Sequence, residues 1–185
     1  MTAYYARALS NLESPLIDEK LALVWGKVNA TPEATQNRID QLETSYSEAP
    51  LWAFRTLSGK AHFEALCSAC HQPSQTEANI GPNLNGSGSN GARYFFENII
   101  DPNAVVGSDY AISTIKTKSG QTLSGILDNQ TETAVTLKTI ADSTIIPRSD
   151  IETISELPQS MMPPGLLDTL NDREITELIK YLETL

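Results

Sequence analysis

The sequence predicts a mainly helical domain interrupted by a small all-β barrel and preceded by a helical lead-in. Three observations carry that expectation. Apolar residues recur at helical spacing through the first hundred or so residues and again after Asn171. Between residues 110 and 156 they alternate at strand spacing, with β-branched residues throughout. Both segments flanking the β stretch are short and helical, so it reads as an insertion into one helical domain. The expected division is a lead-in over 1–57, a helical domain made of 58–109 and 157–185, and the inserted barrel over 110–156.

In the lead-in, Leu9, Leu12, Ile17, Leu21, Val24 and Trp25 keep helical spacing and stop at Gly26, a residue type that ends helices. A second start signal follows, with Thr31 as the expected N-cap, Pro32 at the first helical position and Glu33 in the first turn; Ile39, Leu42 and Tyr46 then share one face. A helix is expected over "SGKAHFEALCSACH", then a loop rich in Gly, Asn and Ser, then "RYFFENII" as a helix ending at Asp101-Pro102. The strands expected in the insert are "YAISTIKTK", "QTLSGILDN", "TAVTLKTI", "STIIP" and "DIETISEL", with a turn at Ser119-Gly120. In the last helix Asn171 is the N-cap, Glu174 completes a capping box, and Ile175, Leu178, Ile179 and Leu182 form the apolar stripe.

The formal charge of -10 and a pI near 4.6 over 185 residues argue against nucleic acid as a partner, because a phosphate backbone repels such a surface. A basic protein or a small neutral ligand suits it better. No run approaches the about 20 apolar residues that span a bilayer, and the N-terminus lacks the basic-then-apolar pattern of a secretory signal. The inserted segment resembles Sm-like or SH3-like barrels, but Lys116, Lys118, Lys138 and Arg148 face several acids with little aromatic interleaving, so RNA binding is a poor reading of it.

Both cysteines and one of the two histidines stand together in Cys67-Ser-Ala-Cys70-His71. This spacing is the attachment signature of c-type haem. One turn of chain brings two sulfurs to the two vinyl-derived carbons of a porphyrin, while the adjacent imidazole can reach the iron. A redox dithiol would belong in a βαβ setting and would leave His71 without a role. A zinc site would have to close a tetrahedron from Cys67, Cys70, His71 and His62 within one ten-residue segment. For a sixth iron ligand the chain offers Met1, Met161, Met162 and His62. His62 is tethered five residues before Cys67, too close to reach the opposite face, and reads as a surface residue. Met161 and Met162 lie in "SMMPPG", where Pro163 forces Met162 into an extended conformation.

Cys67-Ser-Ala-Cys70-His71, then Gly81-Pro82-Asn83-Leu84, then Met162-Pro163 before a terminal helix, resembles class I cytochrome c. Gly59 and Phe63, at four-residue steps before Cys67, and Leu178 with Tyr181 match the pairing by which that family crosses its first and last helices. The resemblance implies a cytochrome c fold holding one covalent haem c through Cys67 and Cys70, with Pro82 and Leu84 in the haem environment. It further implies that the Pro82 carbonyl accepts a hydrogen bond from Nδ1 of His71. His71 and Met162 are 91 positions apart, and removing the 47 inserted residues leaves 44, a spacing that suits a compact cytochrome. The wider pattern of "RYFFENIIDPNAVVGSDY", "KSGQTLSGIL" and "SMMPPGLLDTLNDREITELIKYL" is similar to the haem-binding domain of large multidomain proteins of planctomycetes.

The function expected is therefore one-electron transfer rather than catalysis, with His71 as proximal ligand and Met162 as distal ligand, Met161 being the reserve. The alternative is a haem module that binds a small gas at a labile sixth position. The expected partner is a redox protein or a fused oxidoreductase domain with a basic docking surface. A c-type haem implies a periplasmic or exported location.

Overall fold

The computed structural model describes residues 3–71 and 80–185. Among the described residues, α-helices are formed by Ala3–Ser10 (α1), Pro15–Val24 (α2), Glu33–Ser47 (α3), Thr56–Leu66 (α4), Gly91–Ile100 (α5) and Asp172–Leu182 (α6). Two short strands, Gly26–Val28 (β1) and Val105–Gly107 (β2), pair with each other. Five longer ones make the inserted sheet: Ala111–Thr117 (β3), Thr122–Gln130 (β4), Ala134–Lys138 (β5), Ser143–Pro147 (β6) and Ile151–Ser160 (β7).

The main core is helical. Ile39 and Leu42 of α3, Phe63 of α4, Phe96 and Ile99 of α5, and the apolar stripe of α6 bury together. Helix α6 starts where the sequence places it: Asn171 Oδ1 accepts from the Arg173 and Glu174 amides at 3.1 Å, and Glu174 Oε2 accepts from the Asn171 amide at 2.9 Å. Helices α4 and α6 cross at Gly59. A Cβ there would lie 1.9 Å from the Glu177 carbonyl oxygen and 2.8 Å from Tyr181 Cβ, so only glycine permits this approach. Beside it the rings of Phe63 and Tyr181 sit 5.4 Å apart.

The lead-in departs from an all-helical segment. After α2 the chain turns at Gly26, whose φ of +127° few other residues adopt, and enters β1. This strand pairs antiparallel with β2, Gly26 opposite Gly107 and Val28 opposite Val105, and builds a second small core around Ala6, Leu21, Ala104 and Val105. Thr31 does not cap α3. Pro32 occupies that position, and the Thr31 hydroxyl accepts a hydrogen bond from Arg7 at 3.4 Å. Arg7 also pairs with Glu97 of α5 at 3.2 Å, with both side chains mostly buried. The lead-in is thus built onto the helical domain.

Strands β3 to β7 form a separate antiparallel sheet in the order β6-β5-β4-β3-β7, and this sheet is open rather than the closed barrel expected. Strand β6 is joined to β7 by one turn of 3-10 helix, Arg148–Asp150, and β7 crosses to pair with β3, leaving β6 and β7 as the two edges. Register shifts in the β3–β7 and β4–β5 pairings bend the sheet over a third core of Ile115, Val135, Leu137 and Ile146. Strand β7 also runs to Ser160, past the boundary expected at 156. Pro158 lies within it, which an edge strand tolerates.

Candidate functional site

Helix α4 does not continue through the cysteine motif. The Phe63 carbonyl accepts from both Cys67 N (2.8 Å) and Ser68 N (3.0 Å), while the Ser68 hydroxyl donates to the Glu64 carbonyl at 2.7 Å. The regular ladder therefore ends at Leu66. Residues 67–71 follow as a separate turn, closed by His71 N donating to the Cys67 carbonyl at 2.9 Å. Both thiols are free and half-buried.

The Gly-Pro loop comes back onto this turn. Gly81 N donates to the Cys70 carbonyl at 3.0 Å, and the Pro82 carbonyl lies 2.9 Å from Nδ1 of His71. With Nδ1 protonated and held by that carbonyl, Nε2 is the nitrogen left to face a metal. A Cβ on residue 81 would lie 2.7 Å from His71 Cε1, so glycine is what allows the loop to close on the imidazole. Burial lowers the pKa of His71, against the Pro82 hydrogen bond that favours its charged form; a neutral ring is the form that ligates.

The chain after the five-stranded sheet returns to the same helical core. Cys67, Leu84 and Met162 all pack, half-buried, on the main helical core. Among the described residues Met162, and not Met161, packs there. The Met162 amide donates to Ser160 Oγ at 3.1 Å, and the Ser160 amide donates to Asn103 Oδ1 at 2.9 Å. Met1 lies outside the described residues. His62 is not a free surface residue: its Nε2 is 3.5 Å from Glu177 Oε2, at the crossing of α4 and α6.

Other chemistries fit this arrangement less well. Burial, with the neighbouring Cys70 second, pushes the Cys67 thiol up to about 11, and burial also raises Cys70. A redox dithiol needs the opposite shift. Among the described residues no group of three or more His, Cys, Asp or Glu side chains is placed to hold a metal ion, which disfavours a zinc clamp. The segment instead offers two unpaired thiols and an imidazole fixed through Nδ1, and the Cys67 side chain shares an apolar core with the Met162 thioether. That donor set suits a covalently held haem.

The sheet touches the site from outside. Between the loop Ile80–Asn83 and the sheet lies a cleft of about 400 Å³ lined by Tyr110, Ile126 and Leu127 among others. Ile80 and Ile126 are both buried along it. Basic groups of the sheet are largely committed within it, Lys116 to Glu152 at 2.9 Å and Lys138 to Asp128 at 2.8 Å, which leaves little for a phosphate backbone.

Sequence reasoning missed Asn103 and Ser160. Ser160 stands only two residues before Met162, but nothing in the sequence singles out its hydroxyl, and only the folded chain brings Asn103 to it. The family model described as Cytochrome c matches residues 57–185. No curated protein matches the chain significantly.

Proposed function

We propose that this chain, which belongs to the cytochrome c family, is a monohaem one-electron carrier with His71 and Met162 as the axial ligands. The family carries haem c covalently, and Cys67 and Cys70 stand at the attachment spacing. The single observation that carries the ligand assignment is the pairing of His71 Nδ1 with the Pro82 carbonyl at 2.9 Å while Cys67, Leu84 and Met162 share one core. Among the described residues no helix is long and apolar enough to cross a membrane.

In this reading Cys67 and Cys70 become thioethers, which suits thiols whose burial disfavours the free thiolate. The Pro82 carbonyl keeps the proton of His71 on Nδ1 and so presents Nε2. Pro163 holds Met162 extended, Leu84 and the helical core exclude water, and Met161 is the reserve thioether. A haem held by these residues would supply a reversible one-electron couple. With His71 and Met162 both holding the iron, transfer would be favoured over binding of oxygen or other gases. The residues 110–156 are read as an insertion into the haem domain 58–109 and 157–185. The acidic chain favours a redox partner with a basic docking surface, supplied by a separate protein or by an oxidoreductase domain fused as in the planctomycete-type proteins. A c-type haem implies a location outside the cytoplasmic membrane, periplasmic or exported.

The test is the visible spectrum of the reduced protein with and without carbon monoxide. A low-spin spectrum that carbon monoxide does not change on mixing supports the carrier. Immediate binding by the native protein would favour the gas-binding module and remove Met162 from the iron.

A further inference from the structure

We infer that the base of the inserted sheet is a positioning device for Met162, acting through Asn103 and Ser160. The inference rests on Met162 being the distal ligand, and adds what holds it there. Ser160 is the last residue of β7 and is paired with Ala111, the first residue of β3. The two ends of the insertion are therefore clasped in one ladder, and Met162 emerges two residues beyond the clasp.

Three hydrogen bonds carry the position outward from that point. Met162 N donates to Ser160 Oγ at 3.1 Å, and Ser160 N donates to Asn103 Oδ1 at 2.9 Å. The Asn103 carbonyl in turn accepts from Asn29 Nδ2 at 2.9 Å, beside the Asn29 amide, which donates to the Ala104 carbonyl at 2.7 Å. Asn103 lies between α5 and β2, in the turn closed by Ala104 N donating to the Asp101 carbonyl at 3.1 Å. One asparagine thus links the lead-in, the end of α5 and the start of the methionine loop.

The chemistry explains why a clasp is wanted. A methionine side chain has three rotatable bonds and a weak donor sulfur, so its place on a metal depends on how firmly its backbone is held. Pro163 removes an amide from the following position and fixes the chain direction, but it leaves the depth of Met162 free. The Ser160 hydroxyl fixes that depth by engaging the Met162 amide. Ser160 and Asn103 are positioning residues; neither is expected to touch the haem.

The test uses the haem-loaded full chain with Ser160→Ala, Asn103→Ala and Ser160→Thr. We expect each alanine variant to raise the rate of carbon monoxide binding to the reduced protein about fivefold. That is the factor by which losing one ordinary hydrogen bond shifts a local opening equilibrium. The weak methionine-to-iron band at the red end of the oxidised spectrum should fall in parallel, and Ser160→Thr, which keeps the hydroxyl, should restore both. Folded alanine variants with native band and native carbon monoxide rate would overturn the inference. Amide exchange at Met162 separates this outcome from failure of the ligand assignment. If the native protein lacks the band, Met162 is not the ligand. Faster exchange at Met162 in Ser160→Ala then still establishes the clasp, and unchanged exchange refutes it.

Discussion

Gly59→Ala is the substitution whose sign is decided by the helix crossing. On an isolated helix it would be favourable, because alanine is about 1 kcal/mol better than glycine in a helix interior. In this fold the added carbon would lie 1.9 Å from the Glu177 carbonyl oxygen and 2.6 Å from its carbon. Both atoms are backbone inside α6 and cannot rotate away, so the helices must separate. Overpacking of this kind costs about 1–3 kcal/mol, and the higher figure applies where the obstacle is main chain. Separation also loosens the Phe63–Tyr181 contact, 5.4 Å between centroids, and that of an aromatic pair contributes about 1 kcal/mol. Against the propensity gain, the net loss is about 2–3 kcal/mol, or about thirtyfold or more in the unfolding equilibrium. Urea unfolding of the haem-loaded protein measures it. Lys60→Ala, on the exposed side of the same helix, should stay within about 0.5 kcal/mol of the parent. A Gly59→Ala midpoint equal to or above the parent's would refute the crossing, since propensity alone gives that result.

Three further outcomes follow from the geometry. Met162→Ala should abolish the low-spin spectrum while Met161→Ala leaves it; the reverse pattern would transfer the ligand to Met161. Asn171→Ala removes the acceptor of two amides at the start of α6 and should lower stability by about 1 kcal/mol in the same urea titration. Tyr46 donates to Glu183 Oε2 at 2.6 Å, and its pKa is raised above the ordinary 10.0 by burial first and the Glu183 hydrogen bond and charge next. A folded pKa above the unfolded one gives stability that is complete below pH 10.0 and declines as pH rises beyond it. The unfolding midpoint should therefore fall more steeply above that pH in the parent than in Tyr46→Phe; parallel curves would exclude the linkage.

Features set by local chemistry were legible in the sequence. The capping box at Asn171 and the alternation of the five strands need only neighbours one turn or one strand away, and both are present; the close approach at Gly59 is long-range and was legible only through the resemblance to class I cytochrome c. Features set by distant partners were not. A three-residue strand such as β1 has no readable period, and it exists because Val105 and Val106 offer an edge far along the chain. Thr31 had the chemistry of a cap, but Arg7 engages its hydroxyl instead. Closure of a barrel depends on whether β6 and β7 pair, and alternation within each strand is the same in an open sheet and a closed one. In the site, the spacing of Cys67, Cys70 and His71 was explicit, as was a methionine held by prolines. The Asn103–Ser160 clasp was invisible, because each residue acquires its partner only after the two ends of the insertion meet.

The central claim is tested most directly by the mass of the intact, denatured chain after expression with a haem-maturation system. Covalent attachment gives a single added haem that survives acid extraction and is lost only when Cys67 and Cys70 are both replaced. A chain of unmodified mass, or a haem that acid extraction removes, would contradict it.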